Sequence, residues 1–253
     1  MRAPQGHLVI PEKVEGGRAT VLLAQARVRL GEPGGWLTPE EVAGLLEAYG
    51  VRTPRAEVGT TLEEVTAIAE SIGYPVAMKI DSAELTHKSD VGGVKLWVRS
   101  ASEVARAHAE MTSSLEGLGL LDKLDGILVQ EMVVDGTEVI IGSTTDPAYG
   151  QLMMFGLGGV HVELMKDVSF RIPPLTDQSA QGMLEAVKGY ELLNGYRGRP
   201  EADKEALLDL LHRISAMVTA HPEILEMDLN PVMVMNAGDG CVVVDARIRL
   251  GSV

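Results

Sequence analysis

Glu226-Met227-Asp228-Leu229-Asn230-Pro231, with Val242-Val243-Val244-Asp245 a few residues later, is the stretch on which the fold turns. Asp228 and Asn230 are two residues apart, so on a strand their side chains leave the same face. Asp245 ends an apolar run that would otherwise be fully buried. Hard oxygen donors of this kind suit Mg²⁺, which takes a few protein carboxylates and completes its shell with substrate phosphates and water. Asn230 and Asp245 are therefore candidate metal ligands, with Asp228 beside them. The simpler alternative is a turn built on Asn230-Pro231 and an Asp245 that faces solvent. Either way, strand signals near residues 224–227 and 232–235 flank the segment.

Three stretches upstream carry related chemistry. In Met78-Lys79-Ile80-Asp81 a lysine interrupts an apolar strand, and burying an ammonium without an anion is costly. A phosphate would supply that anion. Thr86-His87-Lys88-Ser89-Asp90-Val91-Gly92-Gly93-Val94 follows, and its paired glycines let backbone N–H groups approach phosphate oxygens. A surface lysine and an ordinary glycine turn would explain the same residues. Glu131, at the end of Val129-Gln130-Glu131, and Glu138, in Gly136-Thr137-Glu138, stand at adjoining strand ends. There they can accept hydrogen bonds from a base or a ribose, or simply be solvated. Phe155-Gly156-Leu157-Gly158-Gly159 is a second glycine-rich segment able to cradle phosphate, and Arg171 after it could stabilise transferring charge. A flexible turn is the plainer reading. The glycine–lysine loop of P-loop nucleotidases is absent.

Helix signals place these stretches in a mixed α+β pattern. Thr38-Pro39-Glu40-Glu41 offers an N-cap, a proline in the first turn and a capping-box glutamate, and Thr61-Leu62-Glu63-Glu64 repeats the device. Ser100 starts a third helix, and two more are expected near 177–187 and 201–220. Strands are expected at 75–80, 94–98, 127–132, 139–143 and 152–155. Residues 1–35 are rich in Gly, Pro and Arg and read as a tail or linker, with a short helical run near 19–30.

Composition narrows the function. Of 253 residues, 45% are hydrophobic, enough for a globular core, and only 4% are aromatic. A formal charge of −14 argues against nucleic acid or an anionic membrane as partner, since both need a basic field. It leaves a nucleotide open, because a few lysines, backbone N–H groups and a metal hold phosphates locally. With one cysteine, Cys241, no disulfide can form within the chain, which suits a reducing cytoplasm. No apolar run is long enough for a membrane span, and the N-terminus lacks a signal-peptide pattern.

In their order, these segments resemble the ATP-grasp family, in the branch of ADP-forming acyl-CoA synthetases. The likeness rests on Leu37-Thr38-Pro39-Glu40-Glu41, the His87 to Val94 stretch, Phe155-Gly156-Leu157-Gly158-Gly159, Lys166-Asp167-Val168-Ser169-Phe170-Arg171, Asp228-Leu229-Asn230-Pro231 and Asp245-Ala246-Arg247. It implies an ATP-grasp fold over 36–253, with a lid-like subdomain at about 50–130. A larger subdomain at about 131–253, joined by the N-terminal helix, completes it, and ATP is clamped between two sheets. It also implies residue roles. Lys79 meets the phosphates, Glu131 and Glu138 the nucleotide, and Asn230 and Asp245 the Mg²⁺ that accompanies ATP or ADP. Asp228 assists phosphoryl transfer, and His87 is the histidine that carries the phosphoryl group between sites.

Family members that form the thioester also have a CoA-binding domain and a ligase domain, and neither is legible here. The expectation is therefore a nucleotide-binding beta subunit, or a portion of a fused enzyme, that works with an alpha-type CoA-binding and ligase partner. Two other readings stand beside it. One is a regulatory ATP-grasp-like domain from a protein lysine acetyltransferase. The other is a stand-alone ligase joining an acyl phosphate to an amine, against which the His87-Lys88-Ser89-Asp90 segment speaks.

Overall fold

A computed structural model describes residues 6–82, 85, 91–159, 167–196, 198 and 200–251. The first helix, α1 (Gly16–Leu30), buries Ala19, Leu23 and Ala26 at helical spacing and carries Arg27 and Arg29 in its last turn, where they complement the helix dipole. The Arg29 guanidinium bonds the Glu41 carboxylate. A short strand, β1 (Gly34–Trp36), precedes α2 (Pro39–Ala48). The α2 capping box is complete: the Thr38 hydroxyl accepts the Glu41 N–H at 3.3 Å, and the Glu41 carboxylate accepts the Thr38 N–H at 2.8 Å.

The chain divides into two compact units. The smaller covers Pro54–Val134. It contains β2 (Ala56–Gly59), α3 (Leu62–Ile72), β3 (Val76–Asp81), β4 (Val94–Val98), α4 (Ala101–Gly117) and β5 (Gly126–Glu131). Its antiparallel sheet runs β2-β5-β3-β4. Val76, Met78 and Ile80 alternate along β3 and meet Val65, Ile68, Val104 and Met111 of the two helices in one core. Thr61 and Glu64 form the second capping box, starting α3 as the spacing predicts.

The larger unit joins Met1–Thr53 to Asp135–Val253. After β6 (Thr137–Asp146), β7 (Gly150–Leu157) and β8 (Val168–Arg171) come α5 (Asp177–Glu185), α6 (Lys204–Ala220), β9 (Ile224–Val234), β10 (Cys241–Val243) and β11 (Ala246–Gly251). The sheet order is β1-β11-β9-β6-β7-β8, with β10 on β9, and each pairing is antiparallel. Val139, Ile141, Met153, Phe155, Met227 and Leu229 point to one face and share a core with α1, α2, α5 and α6. Strand alternation therefore sends Glu138, Gly142, Met154, Asp228 and Asn230 to the opposite face.

Two expectations change. Gly16–Leu30 is not a tail or linker: α1 buries Leu23 and its neighbouring alanines in the larger core, and Gly34–Trp36 pairs with β11. Its buried stripe is mostly alanine, which left little apolar signal. The segment around Asn230-Pro231 does not separate two strands either. It lies within β9, where Val139 pairs Val232 and Ile141 pairs Leu229, so Asn230 and Pro231 together oppose Ile140. A bulge of this kind lets a strand tolerate a residue that cannot donate to the ladder. Among the described residues no helix is long and apolar enough to cross a membrane.

Candidate functional site

The helix-free face of the larger sheet can be followed row by row, because directly paired residues share a face. Arg247 on β11 pairs Asp228 on β9, Asp228 pairs Gly142 on β6, Gly142 pairs Met154 on β7, and Met154 pairs Phe170 on β8. One step along, the Asn230 N–H donates to the Asp245 carbonyl at 3.0 Å, which sets those two side chains beside the first pair. Asp228 and Asn230 on β9, Arg247 on β11 and Asp245 in the turn just before it thus form a four-cornered group. The spacing of Asp228 and Asn230, legible in the sequence, produces half of it.

The group is electrostatically crowded. Burial pushes the Asp228 carboxyl above its ordinary range, the charges of Asp245 and Glu226 push it the same way, and Arg247 opposes them. Such a carboxylate gains from a nearby cation. Among the described residues, no cluster of three or more Asp, Glu, His or Cys side chains could hold a metal by itself. Mg²⁺ is usually held by one or two protein carboxylates while phosphates and water supply the remaining oxygens. The Asp245 carboxylate and Asn230 amide are hard donors of that type.

A second corner of the same face joins Glu138 to the glycine loop. The Gly158 N–H donates to the Glu138 carbonyl at 2.7 Å. A Cβ on Gly158 would stand 2.7 Å from the Glu138 Cβ, and one on Gly159 would stand 3.4 Å from a Glu138 carboxylate oxygen. Gly159 has φ +64°, a conformation glycine adopts without cost. The three candidates separated in sequence are neighbours here because β6 and β7 pair in register up to Val139 and Leu157.

In the smaller unit Lys79 lies on β3 between buried Met78 and Ile80, so it leaves the sheet on the face away from α3 and α4. Gly92 has φ +70° in the turn before β4. The Ile80 N–H donates to the Gly93 carbonyl at 2.8 Å, and the Ser114 hydroxyl of α4 donates to the Val91 carbonyl at 2.8 Å. This turn is tied to both the sheet and a helix. Glu131, expected to meet the nucleotide, lies at the end of β5. It shares the helix-covered face with Ile127 and Val129, and its carboxylate lies 3.5 Å from the Arg55 guanidinium.

Arg171 is also placed differently. It pairs Met153, whose side chain is in the core, so Arg171 points toward the helices rather than toward Asp228. Its guanidinium donates to the carbonyls of Phe170 at 2.8 Å and Gly182 at 2.7 Å, closing the end of α5. The strand parity of β8 decides this. His87 lies outside the described residues. Arg247 was not singled out from sequence as a site residue, although Asp245-Ala246-Arg247 on a strand puts the charges at its two ends on one face.

The two antiparallel sheets, each backed by helices, are those of the ATP-grasp class, and the chain belongs to the ATP-grasp domain family, whose pattern matches residues 29–250. Within that family it is 43% identical over 230 residues to the acetate–CoA ligase [ADP-forming] II subunit beta of Pyrococcus furiosus, covering 90% of this chain and 94% of that one. It is 47% identical over 223 residues to the acetate–CoA ligase [ADP-forming] I of Archaeoglobus fulgidus. There the match covers 88% of this chain and 32% of the relative, so the chain spans about a third of that protein. The Ca. Korarchaeum cryptofilum dinucleotide forming acetyl-coenzyme A synthetase 1 has the same architecture. In complex with coenzyme A and Ca-AMPCP, its chain gives a TM-score of 0.85 at 42% identity, over 92% of this chain and 99% of that one. In a further complex of that protein, with coenzyme A and Mg-AMPPCP, a phosphohistidine segment points towards the nucleotide binding site; there the TM-score is 0.77.

Proposed function

We propose that this chain is the nucleotide-binding component of an ADP-forming acid–CoA ligase, moving a phosphoryl group between ATP or ADP and a histidine while a partner makes the thioester. The observation that carries this reading is the convergence of Asp228, Asn230 and Asp245 on one sheet face, with Glu138, Gly158 and Gly159 on the same face. The identity to a beta subunit over nearly its whole length supports it. The regulatory acetyltransferase alternative draws no support, because the matched relatives are named as ligases.

In this reading Lys79 and the N–H groups of Gly92, Gly93, Gly158 and Gly159 hold the phosphates, and Glu138 holds the nucleoside. Asn230 and Asp245 hold Mg²⁺, which when bound neutralises charge on the phosphate oxygens. Asp228 keeps its negative charge against that cation and orients the attacking group. His87 takes the phosphoryl group: a neutral imidazole nitrogen is nucleophilic near pH 7 and can form a bond to phosphorus as the bond to the ADP oxygen breaks. An alpha-type partner supplies the CoA and acid sites, and the cytoplasm is the compartment that the lone Cys241 suits.

Calorimetric titration of the full chain tests the site. Mg·ATP should bind, Lys79→Ala should weaken binding at least about tenfold, the loss of one charge-assisted contact, and Asp245→Ala should remove the dependence on Mg²⁺. Parent-like binding by both variants would put the site elsewhere. With the partner present, His87→Ala should stop ADP phosphorylation but spare acyl-phosphate formation. The acid-labile label from γ-labelled ATP should vanish from this chain.

A further inference from the structure

The cation that sequence assigned to the phosphoryl group, Arg171, is occupied on the wrong face of the sheet, which leaves that role open. The helix-free face carries Glu226 and Asp228 on β9, with Asp245 at the turn before β11; Arg249 is directly across from Glu226, and Arg247 is the arginine that faces the Asp228 end. A polyphosphate arriving there meets repulsion unless a fixed cation accompanies the metal. Arg247 is directly across from Asp228. Its guanidinium carbon lies 4.4 Å from the centroid of the Trp36 ring. Trp36 pairs Arg249, two residues along β11, so the ring reaches Arg247 as a diagonal neighbour on one face. Among the described residues no hydrogen bond or ion pair joins the Arg247 guanidinium to a carboxylate or carbonyl, and it stands over the Trp36 ring while its charge acts on Asp228.

Stacking fixes the plane of a guanidinium while leaving its N–H groups free at the edge, the geometry that meets two phosphate oxygens at once. If Arg247 served only to offset Asp228, a direct ion pair would be expected, and the two groups make none among the described residues.

We propose that Arg247, held flat by Trp36, is the arginine that binds the phosphate tail of the nucleotide, with Trp36 as its positioning residue. This rests on the nucleotide-binding reading above and adds to it a contact on β11.

The chain has two tryptophans, Trp36 and Trp97, so a Trp97→Phe background leaves Trp36 as the sole emitter. In that background Mg·ATP should change the Trp36 emission and adenosine should not. Arg247→Gln should abolish the change and weaken Mg·ATP binding about 10- to 100-fold, the loss expected for hydrogen bonds to a charged group, with adenosine binding unchanged. Trp36→Leu, which keeps the charge but frees the side chain, should weaken Mg·ATP about two- to fivefold. It also serves as the test if Arg247→Gln does not fold. Parent-like Mg·ATP affinity in Arg247→Gln, alongside loss in Asp245→Ala, would overturn the role of Arg247 and leave the site standing. Parent-like affinity in Arg247→Gln and Asp245→Ala together would remove the site reading and this inference with it. Equal loss of adenosine and Mg·ATP would make Arg247 a structural residue.

Discussion

The Gly158 N–H donates to the Glu138 carbonyl at 2.7 Å, and Gly158 lies so close to Glu138 that a Cβ added to it would stand 2.7 Å from the Glu138 Cβ. The second distance is far inside van der Waals contact, and backbone atoms of Glu138 stand close behind at 3.1 and 3.2 Å. Neither side can retreat without opening the end of the β6–β7 pairing.

Gly158→Ala should therefore cost about 1–3 kcal/mol as an overpacked site, lowering the melting temperature by several degrees in a chain of this size. It should also lower Mg·ATP affinity, because it displaces both Glu138 and the loop. Gly117→Ala is the control: a Cβ there meets nothing within 4 Å at the end of α4, and alanine favours a helix over glycine by up to ~1 kcal/mol. Thermal melts with and without Mg·ATP separate the two. A Gly158→Ala chain that melts and binds like the parent would show that the close approach is not required.

The two halves of the site differ in how far the sequence could reveal them. Asp228 and Asn230 could be read together because strand parity acts over two residues, Asp245 because it ends the apolar run Val242-Val243-Val244, and the Thr38–Glu41 and Thr61–Glu64 caps because helix-start chemistry acts over three. Glu138 and Gly158 are twenty residues apart, and only the register of β6 against β7 makes them neighbours. The direction of Arg171 was hidden for the same reason: its face depends on how β8 pairs Met153, which local pattern does not encode. The strand through Asn230-Pro231 was broken in the reading because proline cannot continue a ladder, and the bulge opposite Ile140 removes that objection. α1 was discounted on its glycines and arginines, yet Leu23 is 1% exposed, and burial of one such side chain is worth about 1.5–3 kcal/mol.

Arg171 carries a prediction that opposes its first assignment. Its bonds to the Phe170 and Gly182 carbonyls connect the edge strand β8 to the last turn of α5. Arg171→Met keeps the length and loses both donors, so it should destabilise the larger unit by about 1–3 kcal/mol. Mg·ATP affinity, measured well below the melting temperature, should stay within about twofold, since no phosphate contact is lost. A variant that keeps its stability but loses nucleotide would return Arg171 to the site.

Two buried histidines should make the larger unit less stable in mild acid. His212 is 7% exposed and His221 5% exposed. Burial lowers both pKa values, against the opposing charges of Asp209 and Asp177 on His212 and of Glu223 on His221. His221 also meets the Tyr49 ring edge-on at 5.9 Å, and its Nδ1 is 3.8 Å from the Glu223 carboxylate. A folded-state pKa below the unfolded value of about 6.5 means that the unfolded chain takes up protons first as pH falls. The stability these groups contribute is complete above that value and is lost on descent through it toward the folded pKa. Each histidine can remove up to about 1.4 kcal/mol per pH unit in that window. Asp177 and Asp203, whose carboxylates accept backbone N–H bonds, also have lowered pKa values, but their losses begin below their own unfolded values near 4. Asp228 acts in the opposite sense, since a raised carboxyl pKa gains stability as it protonates, so the useful quantity is a difference between variants. Urea midpoints should fall between pH 7 and pH 5 in the parent, and His221→Phe, which keeps an aromatic against Tyr49, should flatten that slope by about half. An unchanged slope in both His221→Phe and His212→Phe would show that neither imidazole is held neutral by the fold.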